Sequence, residues 1–217
     1  TVHEWIAGGV LGRIHSVEAR MVTSAVRHRN PEHYLFNAAV SGGGILSWLG
    51  CHWLDLIRYL TGLEVEAAGA ITGNVGNPPV EVEEIAALSL RFAGGAIGTL
   101  HAAYVLPEGY ETYLGVRGEL GWIRWDPTGN VIEAKSQHPS WRDEPRRTLR
   151  PEKMQFPGYG TDGRSALLTW LAAIRGEAAR PAADQRDALR TLEVIDAAYA
   201  SANSGRLTSV RDSLAAR

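Results

Sequence analysis

Residues 41–62 read SGGGILSWLGCHWLDLIRYLTG, and the fold turns on how this stretch is read. Ile45, Leu49, Trp53, Leu56 and Leu60 recur at steps of three or four. That period predicts an amphipathic helix over Gly43–Leu60. Gly62 stands where a glycine closes a helix. Trp48, His52 and Asp55 are separated by four and three residues. This spacing predicts that all three share one face, about a quarter turn from the Ile45–Leu49–Leu56 stripe. An imidazole with a carboxylate one turn away is a workable acid–base pair. His52 would exchange a proton with a substrate hydroxyl, and Asp55 would fix its tautomer and orientation. A half-buried helix histidine with a structural hydrogen bond has the same spacing, so the pattern alone leaves both readings open.

Before the helix, Arg13–Ala25 alternates Ile14, Ser16 and Glu18 against His15, Val17 and Ala19, which predicts a strand. The connection from Val26 to Val40 is long and polar and carries Arg27, His28, Arg29, Asn30-Pro31 and His33. Long ordered loops are often functional. Arg27, His28 and His33, with Arg29, are therefore candidates to reach over a pocket and bind hydroxyls or an anionic group, against the plainer reading of solvated loop charges.

After the helix, strands are expected at Val65–Gly73, Val82–Phe92, Ala96–Val105, Tyr110–Arg117 and Leu120–Trp125. Gly76-Asn77-Pro78-Pro79, Gly94-Gly95, Pro107-Glu108-Gly109, Gly118 and Asp126-Pro127 punctuate them. Connections this short imply antiparallel neighbours. His138–Lys153 reads as a charged, prolyl loop with room for one more edge strand. Helices are expected over Thr161–Arg175, ending at Gly176, and over Asp184–Ser204, capped by Asp184 and ended by Gly205. Trp122 and Trp125 would pack at the sheet or subunit face. The predicted class is α+β, one domain with an open, mostly antiparallel sheet and helices packed on one face. A second copy of the chain is the expected cover for the other face.

Composition excludes several function classes. The 217 residues are 45% hydrophobic and 21% charged, with a formal net charge of −2, which provides no basic footprint for nucleic acid or anionic membrane. No apolar run nears the roughly 20 residues of a membrane-spanning helix, and no signal peptide is legible. The single Cys51 excludes an internal disulfide and a cysteine-built zinc site. No H-E-x-x-H pattern supports another metal site. No G-x-S-x-G elbow is present, and Cys51 suits packing better than nucleophilic attack. The cytoplasm is the default compartment. The chain opens on Thr1, without Met, in what reads as the end of a helix stopped by Gly8-Gly9; this is expected of a fragment or a processed chain.

Gly42-Gly43-Gly44, Ile45-Leu46, Gly50, His52 and Asp55, continued by Leu56-Ile57-Arg58-Tyr59-Leu60 and Gly62, resemble the hallmark of the glucose–fructose oxidoreductase / inositol dehydrogenase (Gfo/Idh/MocA) family. Gly12-Arg13-Ile14, Gly118-Glu119-Leu120-Gly121, Arg190–Asp196 and Ser204-Gly205-Arg206 add further matches in the family's order. The resemblance implies the C-terminal substrate-binding domain of a NAD- or NADP-dependent dehydrogenase acting on a sugar or polyol, assembled as a homo-oligomer. It implies His52 and Asp55 as the catalytic pair, with Trp48 as the pocket wall.

Two departures qualify it. The family position four residues before the histidine is commonly an aspartate. Here it is Trp48, which cannot transfer a proton but can stack on a sugar's C–H face. The family's dinucleotide-binding G-x-G-x-x-G turn and lysine motif are not found in this sequence, and neither Gly8-Gly9 nor Gly94–Gly98 has the spacing. The N-terminal Rossmann domain is thus absent from this chain, which is expected to be inactive alone. The alternative is a non-catalytic, stand-alone sugar-binding or oligomerisation domain.

Overall fold

Alternation along β3 (Ile85–Phe92) is close to strict: Ala86, Leu88, Leu90 and Phe92 are buried, while Ala87, Ser89 and Arg91 face out. A period of two with one buried face marks a strand covered on one side. The same alternation builds the rest of the sheet in this computed structural model, which describes residues 1–76, 79–151, 160–177 and 183–210, with backbone alone at 27 and 160–166.

The elements run α1 (Val2–Ala7), β1 (Ile14–Ser24), α2 (Ala38–Ser41), a π-turn at Leu46–Gly50 continuing into α3 (Cys51–Thr61), β2 (Val65–Gly73), β3, β4 (Ile97–Leu106), β5 (Tyr110–Gly118), β6 (Gly121–Asp126), β7 (Val131–Ser136), β8 (Arg146–Leu149), α4 (Gly160–Ile174), α5 (Gln185–Ser204) and β9 (Thr208–Ser209). The strands form one open sheet in the order β8-β7-β6-β5-β1-β4-β3-β2-β9. Every neighbouring pair is antiparallel except β1 and β4. Parallel neighbours need a long crossover, and the chain between β1 and β4 provides one, carrying the signature helix and the β2–β3 hairpin.

The predicted α+β class is the observed one. β7 lies beyond the strands expected from the sequence, and the edge strand allowed for in the 138–153 loop is β8. The second strand of the meander starts at Ile85 rather than Val82, because Glu83 and Glu84 turn their side chains to other tasks. The helix expected at Asp184 forms with a reciprocal capping box between Asp184 and Asp187 and ends at Gly205 in the left-handed conformation.

The core lies between the sheet and the signature helix with α5. Ile45, Leu46, Leu54 and Ile57 meet Met21 of β1, Leu90 and Phe92 of β3, and Val194 and Ala198 of α5 in one cluster. Burial of such side chains contributes roughly 1.5–3 kcal/mol each.

No described helix covers the opposite face. Ile71 and Ile97 are 78% and 63% exposed there, yet the face is not plainly apolar. Arg117 bonds Glu18 at 2.9 Å, Arg20 bonds Glu111 at 2.9 Å, and the Arg124 guanidinium lies 4.6 Å from the Trp122 ring. Trp122 and Trp125, three residues apart, fall on opposite faces, since strand side chains alternate. Trp122 pairs with Arg117 on the open side and Trp125 with Leu114 on the covered side. Among the described residues no helix is long and apolar enough to cross a membrane.

Candidate functional site

The signature helix begins at a glycine triplet, and two of its members are fixed by close approach. A Cβ on Gly43 would run into the Tyr199 hydroxyl and Ser47, and one on Gly44 into the Glu83 carbonyl. Through that opening Glu83 holds the helix start. Gly44 N–H donates to Glu83 Oε2 at 2.7 Å, Leu46 N–H to Oε1 at 3.0 Å, and Ile45 N–H to the Glu83 carbonyl at 3.0 Å. The first N–H groups of a helix have no partner within it and favour a negative charge. The Tyr199 hydroxyl of α5 donates to the same Oε1 at 2.8 Å and lies 2.9 Å from Ser47 Oγ. Burial raises the Tyr199 phenol well above its ordinary range, and the neighbouring Glu83 charge adds to this.

The π-turn at Leu46–Gly50 comes next. It carries more residues per turn than an α-helix, and such turns are frequent at functional sites. It also shifts Trp48 around the axis relative to the residues after it. Trp48 packs against Tyr104 of β4, with ring centres 5.9 Å apart. The Arg29 guanidinium lies 5.3 Å from the Trp48 ring centre and 5.1 Å from that of Tyr104. Phe36 meets the Tyr104 ring edge-on at 6.2 Å. Tyr104 is 2% exposed. Burial raises its phenol above the ordinary range, Arg29 pulling it down and Glu83 pushing it up.

His52 is exposed on the first turn of α3. Asp55 faces elsewhere, toward α5. Its carboxylate stands 3.7 Å from Arg58, which bonds Glu64 through two nitrogens at 3.0 and 2.8 Å and donates to the Asp187 carbonyl at 3.1 Å. Burial raises the Asp55 carboxyl above its ordinary range; Arg58 opposes this, Asp187 adds to it, and His52 opposes it. Trp48, His52 and Asp55 therefore do not share one set of neighbours, as a uniform α-helix would have them. The π-turn sends Trp48 to Tyr104 and Arg29, and the Arg58 network draws Asp55 to α5. His52 and Asp55 interact through space, without a hydrogen bond among the described residues.

The loop after β1 does reach the helix, but through Arg29. His28 is exposed, and the side chain of Arg27 lies outside the described residues. His33 Nδ1 accepts from Leu35 N–H at 3.4 Å, capping the single turn Tyr34–Phe36, and its ring lies 4.5 Å from that of Tyr34. The sequence pattern did not bring Glu83, Tyr104 or Tyr199 to notice. Glu83 had one signal, the run Glu81-Val82-Glu83-Glu84 ahead of an apolar strand.

The residues described do not fit a dinucleotide. A diphosphate needs a glycine turn opening a helix whose N-terminus is vacant. Gly8 and Gly9 come after α1, Gly94 and Gly95 join β3 to β4, and the helix start after the triplet already holds the Glu83 carboxylate. No group of three or more His, Cys, Asp or Glu placed to hold a metal occurs among the described residues.

Residues 1–124 match the family described as GFO/IDH/MocA C-terminal domain. The match covers more than half of the 217 residues, and the chain belongs to that family. It is 28% identical over 180 residues to a D-apiose dehydrogenase of Rhizobium rhizogenes, covering 76% of this chain and 48% of that protein. The chain thus spans about half the length of this relative. Among solved structures it resembles an aldose-aldose oxidoreductase from Caulobacter crescentus complexed with glycerol, with a TM-score of 0.77 and 26% identity over 96% of this chain and 59% of that one. A levoglucosan dehydrogenase in complex with NADH and levoglucosan shares the fold, with a TM-score of 0.80 and 20% identity over 96% of this chain and 62% of that one.

Proposed function

We propose that this chain is the substrate-binding part of a NAD(P)-dependent oxidoreductase acting on a sugar or polyol hydroxyl. The observation that carries the reading is the exposed His52 on a helix whose start is pinned by Glu83, one turn beyond the ring of Trp48. His52 takes the proton of the substrate hydroxyl, and Trp48 offers an aromatic face to the sugar's C–H groups. Asp55 acts on His52 by charge, as a positioning residue, and Arg27, His28 and His33 on the loop after β1 contact substrate hydroxyls. The names of the relatives, all sugar oxidoreductases, and the NADH bound to one of them support the reaction class. The coenzyme, NAD or NADP, is bound mainly by an N-terminal dinucleotide-binding part that this sequence does not contain. The open sheet face assembles copies of the chain, and the protein works in the cytoplasm.

The test is turnover of aldoses and polyols with NAD⁺ and NADP⁺ by the intact protein, coenzyme-binding part included, comparing the parent with His52→Ala. The expected loss is about 100-fold or more, with the fold intact by circular dichroism. Unchanged turnover in the variant would overturn the assignment. The filled helix start and Trp48 in place of a proton-transferring residue favour a second reading, a non-catalytic sugar-binding or oligomerisation domain. Sugar binding by calorimetry without turnover under any of these conditions would establish it.

A further inference from the structure

Arg29 is the unusual cation of this surface. Its guanidinium lies near two rings, Trp48 at 5.3 Å and Tyr104 at 5.1 Å, which pack on each other at 5.9 Å and so flank it on one side, and it has no carboxylate or hydrogen-bond partner among the described residues. Its Nε and the Tyr104 hydroxyl are both buried polar atoms without a partner there. Buried donors without acceptors are uncommon, and each calls for an explanation. Glu83 is the nearby acid that influences Tyr104, but its two oxygens are engaged by Gly44, Leu46 and Tyr199. Several other arginines pair with carboxylates: Arg20 with Glu111, Arg58 with Glu64, Arg117 with Glu18 and Arg190 with Glu193. Arg29 is half-buried, so a ligand can reach it from solvent.

We propose that Arg29, lying beside the packed rings of Trp48 and Tyr104, determines substrate specificity by taking the carboxylate of a sugar acid. The inference rests on the sugar-binding reading above and names the class of sugar. The rings shield one side of the guanidinium from water and leave its other side for the planar, bidentate contact a carboxylate makes. One guanidinium balances a single negative charge, which fits a carboxylate better than a phosphate monoester.

The test is calorimetric titration of the chain with D-galacturonate, D-galactose and D-galactose 6-phosphate, repeated with Arg29→Met and Arg29→Lys. Circular dichroism and melting verify that each variant folds. Galacturonate is expected to bind at least tenfold tighter than galactose. That preference should fall to within about twofold in Arg29→Met and be partly kept in Arg29→Lys, which holds the charge but not the planar fork. Equal binding of acid and neutral sugar, a preference unchanged in Arg29→Met, or tighter binding of the phosphate overturns the proposal while leaving the sugar-binding reading intact. Binding of none of the three overturns the sugar-acid proposal, while the sugar-binding reading is judged by the turnover test above.

Discussion

Glu83 sits outside the signature segment yet holds its first turn with both carboxylate oxygens and its backbone carbonyl. Truncating it leaves two helix N–H groups and the Tyr199 hydroxyl without an acceptor. Glu83→Ala should therefore lower unfolding stability by about 1–3 kcal/mol, read by urea denaturation, whereas Tyr199→Phe leaves the helix N–H groups their acceptor, removes only the hydroxyl's bonds to Glu83 and Ser47, and should cost less. Asp55 gives a pH prediction. Its carboxyl is raised in the folded state, so its contribution to stability is full below the ordinary carboxylate value and is lost as pH rises through the folded-state value. Asp55→Asn lacks this titration. Its stability relative to the parent should rise between about pH 4 and pH 7, and a flat difference across that range would contradict the assigned shift. At this scale the sequence nominated His52 and Trp48 from one local pattern. It could not nominate Glu83, Tyr104 or Tyr199, whose partners lie 37 or more residues away along the chain.

The signature helix is an element fixed by its neighbours at both ends. At the start, Gly44 lies against the Glu83 backbone, so Gly44→Ala forces the loop and helix apart and should cost about 1–3 kcal/mol, as overpacking does. Near its end, Arg58, 7% exposed, joins α3 to Glu64 and to the first turn of α5. Arg58→Met would leave Asp55, Glu64 and Asp187 facing one another. Because those partners are partly solvated, the cost should fall below that of a fully buried pair, on the order of 2 kcal/mol, and should shrink at acid pH. Thermal melts at two pH values measure it. The helix itself was legible from its apolar period and its terminal glycine. The π-turn was not, because inserting a wider turn leaves the residue order unchanged and alters only the phase between Trp48 and the later turns of the helix.

The whole molecule presents a nine-stranded sheet with one face under helices and the other open. If copies assemble through the open face, Ile97→Glu at the start of β4 should shift the chain toward monomer in analytical ultracentrifugation. The fold should survive, because Arg91 stands opposite Ile97 in the register and can pair with the new carboxylate. An unchanged sedimentation coefficient would place the interface elsewhere. The sequence by itself determined the class of fold, most of the strand and helix order and the signature helix, because these arise from local period, turn residues and caps. Only the tertiary structure decided that β1 lies parallel to β4, that Arg29 rather than His33 meets Trp48, and that Asp55 turns to α5. Each of these depends on which distant segments come together, and packing and charge pairing across the fold decide that where no local pattern can.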